Sequence, residues 1–221
     1  GDYRFTDAHG DSVALSQFRG RPLVISLIYT SCYHTCPTIT QHLADIARIA
    51  RDALGEDGFT VATIGFDSAA ATPERMRVYA RERAIDHPRW TFLSADARTI
   101  EALTRDLGFS YFRSPKGFDH TAQTTVLDAQ GKVYRQVYGE NYAAPALVEP
   151  LKELTFGLRA RESGLGGWVE GLRLFCTVYD PASGRYRFDY SIFVSLLVGT
   201  VSLGAVAVFI VRAWRQGRGR A

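Results

Sequence analysis

The sequence predicts an α/β sandwich built on a central mixed sheet, followed by one C-terminal transmembrane helix. Three observations predict it. Pro22 to Tyr29 and Phe59 to Phe66 are short apolar runs rich in β-branched residues, and between them Ile39, Leu43, Ile46, Ala47, Ala50 and Leu54 recur at helical spacing. Strand, helix, strand is a parallel βαβ unit with a right-handed crossover. Phe118 to Asp128 and Lys132 to Tyr138, joined by the turn at Asp128 to Gly131, read as an antiparallel hairpin, so the sheet mixes directions. Finally, Ser191 to Val211 runs without a charge over the length that a hydrocarbon core requires, about 20 residues.

The elements follow in order. Phe5 to Leu15 reads as a short hairpin around the turn cluster His9 to Asp11. Gly20-Arg21-Pro22 punctuates the approach to the first central strand. Pro37 is a residue favoured in the first turn of a helix, and that helix ends near Gly55 to Gly58. Thr72-Pro73-Glu74 supplies an N-cap, a proline at the first helical position and an early acid for a helix running to about Ala84. Its arginines (Arg75, Arg77, Arg81, Arg83) read as a solvated face. Trp90 to Leu93 is a third strand, and Ala95 to Leu107 a helix with Ile100, Leu103 and Leu107 inward, ended by Gly108. Aromatic Phe109 to Phe112 precedes a loop, Arg113 to Gly117. Pro145 to Leu158 is the last amphipathic helix. This succession is that of a thioredoxin-like sandwich. The expected division is a globular domain over 1–162, a linker and juxtamembrane segment over 163–190 marked by Gly164, Gly166 and Gly167, a transmembrane helix over 191–211 and a basic tail over 212–221.

With 221 residues, 46% hydrophobic, 22% charged and a net charge of +3, the composition is that of an ordinary globular protein. No acidic or basic block points to nucleic acid, which is not expected as a partner. The basic excess gathers at Arg212, Arg215, Arg218 and Arg220, directly after the apolar run. The positive-inside tendency places that tail in the cytoplasm and the globular part across the membrane, with Tyr190 and Trp214 as interfacial anchors. No charged-then-apolar leader opens the sequence, so a signal segment is expected to be absent or already removed. Three cysteines do not make a disulfide scaffold.

Two of those cysteines, Cys32 and Cys36, stand where the first central strand hands over to a helix. Unpaired N–H groups and the positive end of the helix dipole favour thiolate there. The three-residue gap differs from the Cys-x-x-Cys of dithiol exchangers. Residues four apart share one face of a helical turn, so both sulfurs can converge. Converging thiolates suit copper(I), and also zinc, and they can equally close a disulfide. A histidine would extend the set to copper(II). Of His9, His34, His42, His87 and His120, the last is the leading candidate, because it opens a strand just after a glycine-containing loop. His34, between the cysteines, is expected to point away.

Cys32-x-x-x-Cys36-Pro37 after an apolar strand, Asp67 followed by Thr72-Pro73-Glu74, and Asp119-His120-Thr121 opening a hairpin together resemble the Sco/SenC family, over roughly Phe5 to Leu158. The resemblance implies a membrane-tethered, thioredoxin-like protein that assists cytochrome c oxidase assembly. It implies copper, as Cu(I) or Cu(II), held by Cys32, Cys36 and His120, with Asp119 orienting the site. The C-terminal anchor departs from the N-terminal one common in the family and is a layout associated with a bacterial branch. The Tyr33-His34-Thr35 insert also departs from the family's acidic, proline-containing one. Cys176 falls outside the match and is expected to be a buried, inert thiol, or else a partner for another chain or metal.

The expected function is that of a copper chaperone delivering to the copper-bearing subunit of an oxidase or to another copper protein. The alternative is a thiol–disulfide oxidoreductase in which Cys32 and Cys36 keep the oxidase's copper-site cysteines reduced. A peroxidase is disfavoured, since no Pro-x-x-x-Thr-x-x-Cys setting precedes either cysteine. The expected location is the bacterial inner membrane, single-pass, with the globular domain periplasmic.

Overall fold

The computed structural model describes residues 2–32, 35–115, 117–162 and 177–218. Expectations about His34, the glycines at 164–167 and Cys176 therefore lie outside the described residues. The chain divides into two compact units, Gly1–Leu174 and Phe175–Ala221.

In the first unit, β3 (Leu23–Ile28) and β4 (Thr60–Gly65) are buried at every position. Strands covered on both faces lose the apolar/polar alternation of half-buried ones, and their few polar residues, Ser26, Thr60 and Thr63, are buried with the rest. They pair in parallel, from Leu23 opposite Thr60 to Ile28 opposite Gly65, and β5 (Trp90–Ser94) continues the parallel set beside β4. β8 (Gln123–Leu127) runs antiparallel along the other side of β3, followed by β9 (Val133–Tyr138). At the far edge, β1 (Arg4–Asp7) lies antiparallel to β5 and carries β2 (Ser12–Ala14). The seven-stranded order is β2-β1-β5-β4-β3-β8-β9, a mixed sheet as the sequence predicts.

α1 (Thr35–Leu54) buries Ile39, Leu43, Ile46, Ala47, Ala50 and Leu54, the six positions whose spacing predicts it, and Pro37 sits in its first turn. α2 (Pro73–Glu82) begins on Thr72, whose hydroxyl accepts the Arg75 N–H at 3.2 Å, and buries Met76 and Tyr79. α3 (Ala97–Leu107) begins on Asp96, which accepts the Thr99 N–H at 2.8 Å. It stops where Gly108 turns left-handed at φ +65°, a conformation that penalises a Cβ. α4 (Ala144–Glu162) runs through Pro150; burial of Leu147, Val148 and Leu151 around it outweighs the lost backbone bond. α1 packs on α4, and α2 joins that layer through the buried hydroxyl pair Thr40–Tyr79 at 2.9 Å.

The predicted strand from Phe118 to Asp128 is in fact two. Its first part is β7 (Gly117–His120), which pairs with β6 (Tyr111–Ser114) in a separate two-stranded sheet; only from Gln123 does the chain join the main sheet as β8. Within the segment read as a loop, Arg113 and Ser114 end β6 and Gly117 begins β7. His120 thus closes a strand rather than opening one.

The second unit holds a hairpin inside what reads as linker, β10 (Thr177–Asp180) with β11 (Arg185–Phe188). Asp180 organises its turn, accepting the Ala182 N–H at 3.0 Å and the Ser183 hydroxyl at 2.7 Å. α5 (Ser191–Arg218) follows, with Asp189 accepting the Ser191 N–H at 2.8 Å. Its segment Ser191–Arg212, 22 residues long, is the one described helix long and apolar enough to cross a membrane. At about 1.5 Å per residue it spans about 33 Å, against a hydrocarbon core of about 30 Å.

Candidate functional site

The site forms at the C-terminal ends of β3 and β4. Past Ile28 the strand gives way to a turn in which the Cys32 N–H reaches the Tyr29 carbonyl at 3.2 Å. Cys36, in the first turn of α1, donates its own N–H to the Cys32 sulfur at 3.2 Å. The sulfur thus accepts from an amide that has no intrahelical partner. Both residues are thiols, 7% and 1% exposed.

That burial corrects one expectation. The strand–helix junction is expected to favour thiolate, but desolvation pushes the Cys36 thiol well above its ordinary range. A helix terminus contributes about 0.3–1 kcal/mol. Stripping water from a charge costs more unless a cation replaces it.

His120 arrives from 84 positions further on, and its Nε2 stands 3.8 Å from the Cys36 sulfur. Its Nδ1 lies 3.1 Å from the Thr121 carbonyl, which can only accept. In the neutral ring the proton therefore belongs on Nδ1, and the Nε2 lone pair faces the sulfur. Aromatic rings fix this orientation: Tyr29, Phe66 and Phe109 surround the imidazole at centroid distances of 5.7, 5.5 and 5.9 Å.

These residues suit one soft or borderline metal ion. With bonds of about 2.3 Å to sulfur and about 2.0–2.1 Å to nitrogen, two ligands about 120° apart stand about 3.8 Å from each other, the separation seen between Cys36 and His120. Among the described residues no three ligating side chains are grouped tightly enough to enclose an ion as they stand. A third ligand would have to come from the Cys32 sulfur, which here accepts the Cys36 N–H.

The other histidines are engaged elsewhere. His9 is exposed in its turn. His42 Nε2 lies 2.8 Å from the Tyr142 carbonyl, and His87 pairs with Glu56 at 3.0 Å. Asp119 is not brought to the site either. Neighbouring residues of a strand face opposite ways, so with His120 turned toward the cysteines Asp119 is exposed, and no hydrogen bond joins the two among the described residues.

The acid that does serve the site is Asp67, just past β4 and 7% exposed. Its Oδ2 accepts both the N–H and the hydroxyl of Thr30 at 2.9 Å, bracing the turn that carries Cys32. Its Oδ1 is buried without a partner. Burial raises the Asp67 pKa above the usual carboxylate range, against the pull of the Thr30 bonds. The folded protein therefore holds this proton to higher pH than the unfolded chain does. Stability attributable to Asp67 is greatest below the unfolded pKa and declines as pH rises through the folded one. Asp67→Asn keeps an acceptor for Thr30 and removes the titration. In urea titrations across acid to neutral pH, wild type is expected to lose stability relative to the variant as pH rises; parallel curves count against this reading.

Comparison with known proteins places this geometry in context. A family model, SCO1/SenC, matches residues 1–155. The SCO1 protein homolog of Bacillus subtilis is 23% identical over 157 residues, covering 68% of this chain and 79% of that one. A SCO2-like protein of Rickettsia felis is 24% identical over 145 residues, covering 62% and 68%. Among solved structures, a putative electron transfer protein from Aquifex aeolicus superposes with a TM-score of 0.64 at 28% identity, covering 71% of this chain and 91% of that one. Bradyrhizobium japonicum ScoI with copper bound superposes at 0.59 with 23% identity, covering 70% and 98%, a likeness of fold.

Proposed function

Because the chain belongs to the SCO1/SenC family, we propose that it is a membrane-anchored copper chaperone for the copper centre of a respiratory cytochrome c oxidase. Cys32 and Cys36 hold the ion as thiolates and His120 completes the set through Nε2. The observation that carries this is His120 Nε2 facing the Cys36 sulfur at 3.8 Å, with Nδ1 placed at the Thr121 carbonyl. Two sulfurs and one imidazole form the donor set that copper favours in both oxidation states, and ScoI, of the same fold, was solved with copper bound.

The chain's own work follows from the site. Both thiols give up their protons as the ion enters, and its charge replaces the water that burial removed. The aromatic rings keep the imidazole pointed inward. Delivery is ligand exchange, in which the recipient's donors displace these three in turn. The globular part, 1–162, works on the periplasmic side of a bacterial inner membrane, reached through the segment 163–190. The span 191–211 anchors it, and the arginine-rich tail, 212–221, stays in the cytoplasm.

A second reading, a reductase that keeps the recipient's copper-site cysteines as thiols, is favoured by the reduced, adjacent sulfurs of Cys32 and Cys36. Their burial works against it, since exchange requires one sulfur to be reached by the partner.

Copper(I) titration of the full chain in detergent, against a competing chelator, tests the first reading. Wild type is expected to bind one ion per chain. Cys32→Ser with Cys36→Ser is expected to lose more than about a hundredfold in affinity, beyond what changes outside the ligand set produce. Equal affinity removes the cysteine pair from the site and with it the chaperone.

A further inference from the structure

We infer that the hairpin β10–β11 is a second membrane contact: its aromatic face, continued by Tyr190 and Phe193 at the head of α5, rests in the headgroup layer of a phospholipid bilayer.

Successive side chains of a strand face opposite ways. The register, Thr177 opposite Phe188, Val178 opposite Arg187, Tyr179 opposite Tyr186 and Asp180 opposite Arg185, therefore sorts the hairpin into two faces. One carries Thr177, Tyr179, Tyr186 and Phe188. The other carries Val178 and three charged groups, with Arg187 Nε 3.5 Å from the Asp180 carboxylate. On the first face the two tyrosine rings lie against each other, their centroids 5.3 Å apart.

The aromatic face does not stop with the strand. Phe188 stands 4.7 Å from Tyr190 and stacks on Phe193 at 5.8 Å. Only Asp189 and Tyr190 separate β11 from α5, and Asp189 accepts the Ser191 N–H at 2.8 Å. The hairpin is thus joined to the helix by a short, hydrogen-bonded connection and a ring stack. Phe193 lies two residues into the apolar span, about 3 Å along its axis from Ser191. A ring stacked on Phe193 is therefore held beside the plane where the hydrocarbon begins. The headgroup layer is about 5–7 Å deep on each side. Tyr186, two residues from Phe188, reaches at most about 7 Å further. Tyrosine is enriched in that layer.

An isolated two-stranded hairpin is marginal in water, and among the described residues β10 and β11 pair with no other strand. A bilayer surface supplies what a core otherwise would, an apolar boundary for the rings with water left for the charged face. Charge decides which lipids take part. Over residues 177–190, Asp180 and Asp189 cancel Arg185 and Arg187. The contact is therefore with the interface common to all phospholipids, not with an acidic headgroup. It rests on the proposed anchoring of the chain through the span, and the test keeps the two apart.

The full chain is reconstituted in phosphatidylcholine vesicles as Tyr186→p-benzoylphenylalanine, a photoreactive residue that bonds to neighbouring C–H groups under ultraviolet light. Tyr179→p-benzoylphenylalanine probes the same face from the other strand and covers a Tyr186 variant that does not fold. Val198→p-benzoylphenylalanine reports on the span itself. After irradiation the intact mass is expected to rise by one phospholipid at all three positions. The adducts at Tyr186 and Tyr179 are expected to persist in high salt and to be no more abundant when acidic lipid is added. An adduct at Val198 with none at Tyr186 or Tyr179 overturns the inference and leaves the anchor standing. So does an adduct at the two tyrosines to a second protein chain in place of lipid. Lipid adducts lost in high salt or confined to acidic vesicles overturn the aromatic contact in favour of the arginines. Adducts at the tyrosines with none at Val198 keep the hairpin on the surface and remove the anchor; no adduct anywhere removes both.

Discussion

His120→Ala is expected to cost copper(II) affinity at least about a hundredfold while costing copper(I) less than about tenfold. The asymmetry follows from the donor set. Two thiolates suffice for copper(I), which accepts few soft ligands, whereas copper(II) draws on the imidazole nitrogen. That nitrogen carries its lone pair toward the Cys36 sulfur because Nδ1 is occupied at the Thr121 carbonyl. Truncation also empties the space between Tyr29, Phe66 and Phe109. The resulting loosening acts on both oxidation states and cancels in their ratio, so the ratio is the quantity to measure, by competition with a chelator for each state. Equal losses, or none, remove residue 120 from the ligand set.

Phe66→Ala is expected to cost about 3–5 kcal/mol in stability. Phe66 is 2% exposed and touches five rings: Tyr29, Phe109, Tyr111, Phe118 and His120, at centroid distances of 4.9–5.6 Å. Each such pair contributes about 0.5–1.5 kcal/mol beyond area burial. The larger consequence is local. β6 and β7 share no strand pairing with the main sheet, and an isolated hairpin is marginal in water. Phe66, fixed at the end of β4, is what the hairpin rests on. Urea unfolding reads the global loss, and hydrogen exchange at the β6 and β7 amides reads the local one, expected to rise more than at β3 and β4. Phe66→Leu should recover much of both. A loss below about 1 kcal/mol counts against Phe66 as the support.

The sequence made the buried half of the sheet and its helices legible, since their signals are local. β3 and β4 are rich in apolar and β-branched residues and buried at every position; α1 declares itself through six spaced residues, and α2 and α3 through Thr72 and Asp96. The split between β7 and β8 was not legible: Thr121 and Ala122 carry no turn chemistry, and the break is imposed by the chain changing sheets. β10 and β11 escaped for a different reason. Exposed apolar residues such as Val178 blur their alternation.

At the site, the spacing of Cys32 and Cys36 marks the reactive spot, and the place of His120 after a glycine-containing loop, together with the family resemblance, points to it as the third candidate. Asp119 is implied by the resemblance alone, and the two-residue period of a strand leaves it exposed while His120 turns inward. Asp67 was visible only as the end of a strand, and its hold on Thr30 depends on β3 and β4 ending side by side. Tyr29 and Phe66 looked like core. Their aim at His120 arises from a hairpin far along the chain, and no local pattern encodes it.

That remoteness has a consequence for how the protein is made. Cys36 precedes His120 by 84 positions, so at about 5–20 residues per second synthesis takes about 4–17 s to reach the segment that covers the dithiol. Pairing of β3 with β8 is equally non-local, and such pairings come late. The sulfurs of the nascent chain therefore meet their surroundings uncovered, and their oxidation state is exposed to challenge during biogenesis more than at any moment after the sheet has closed.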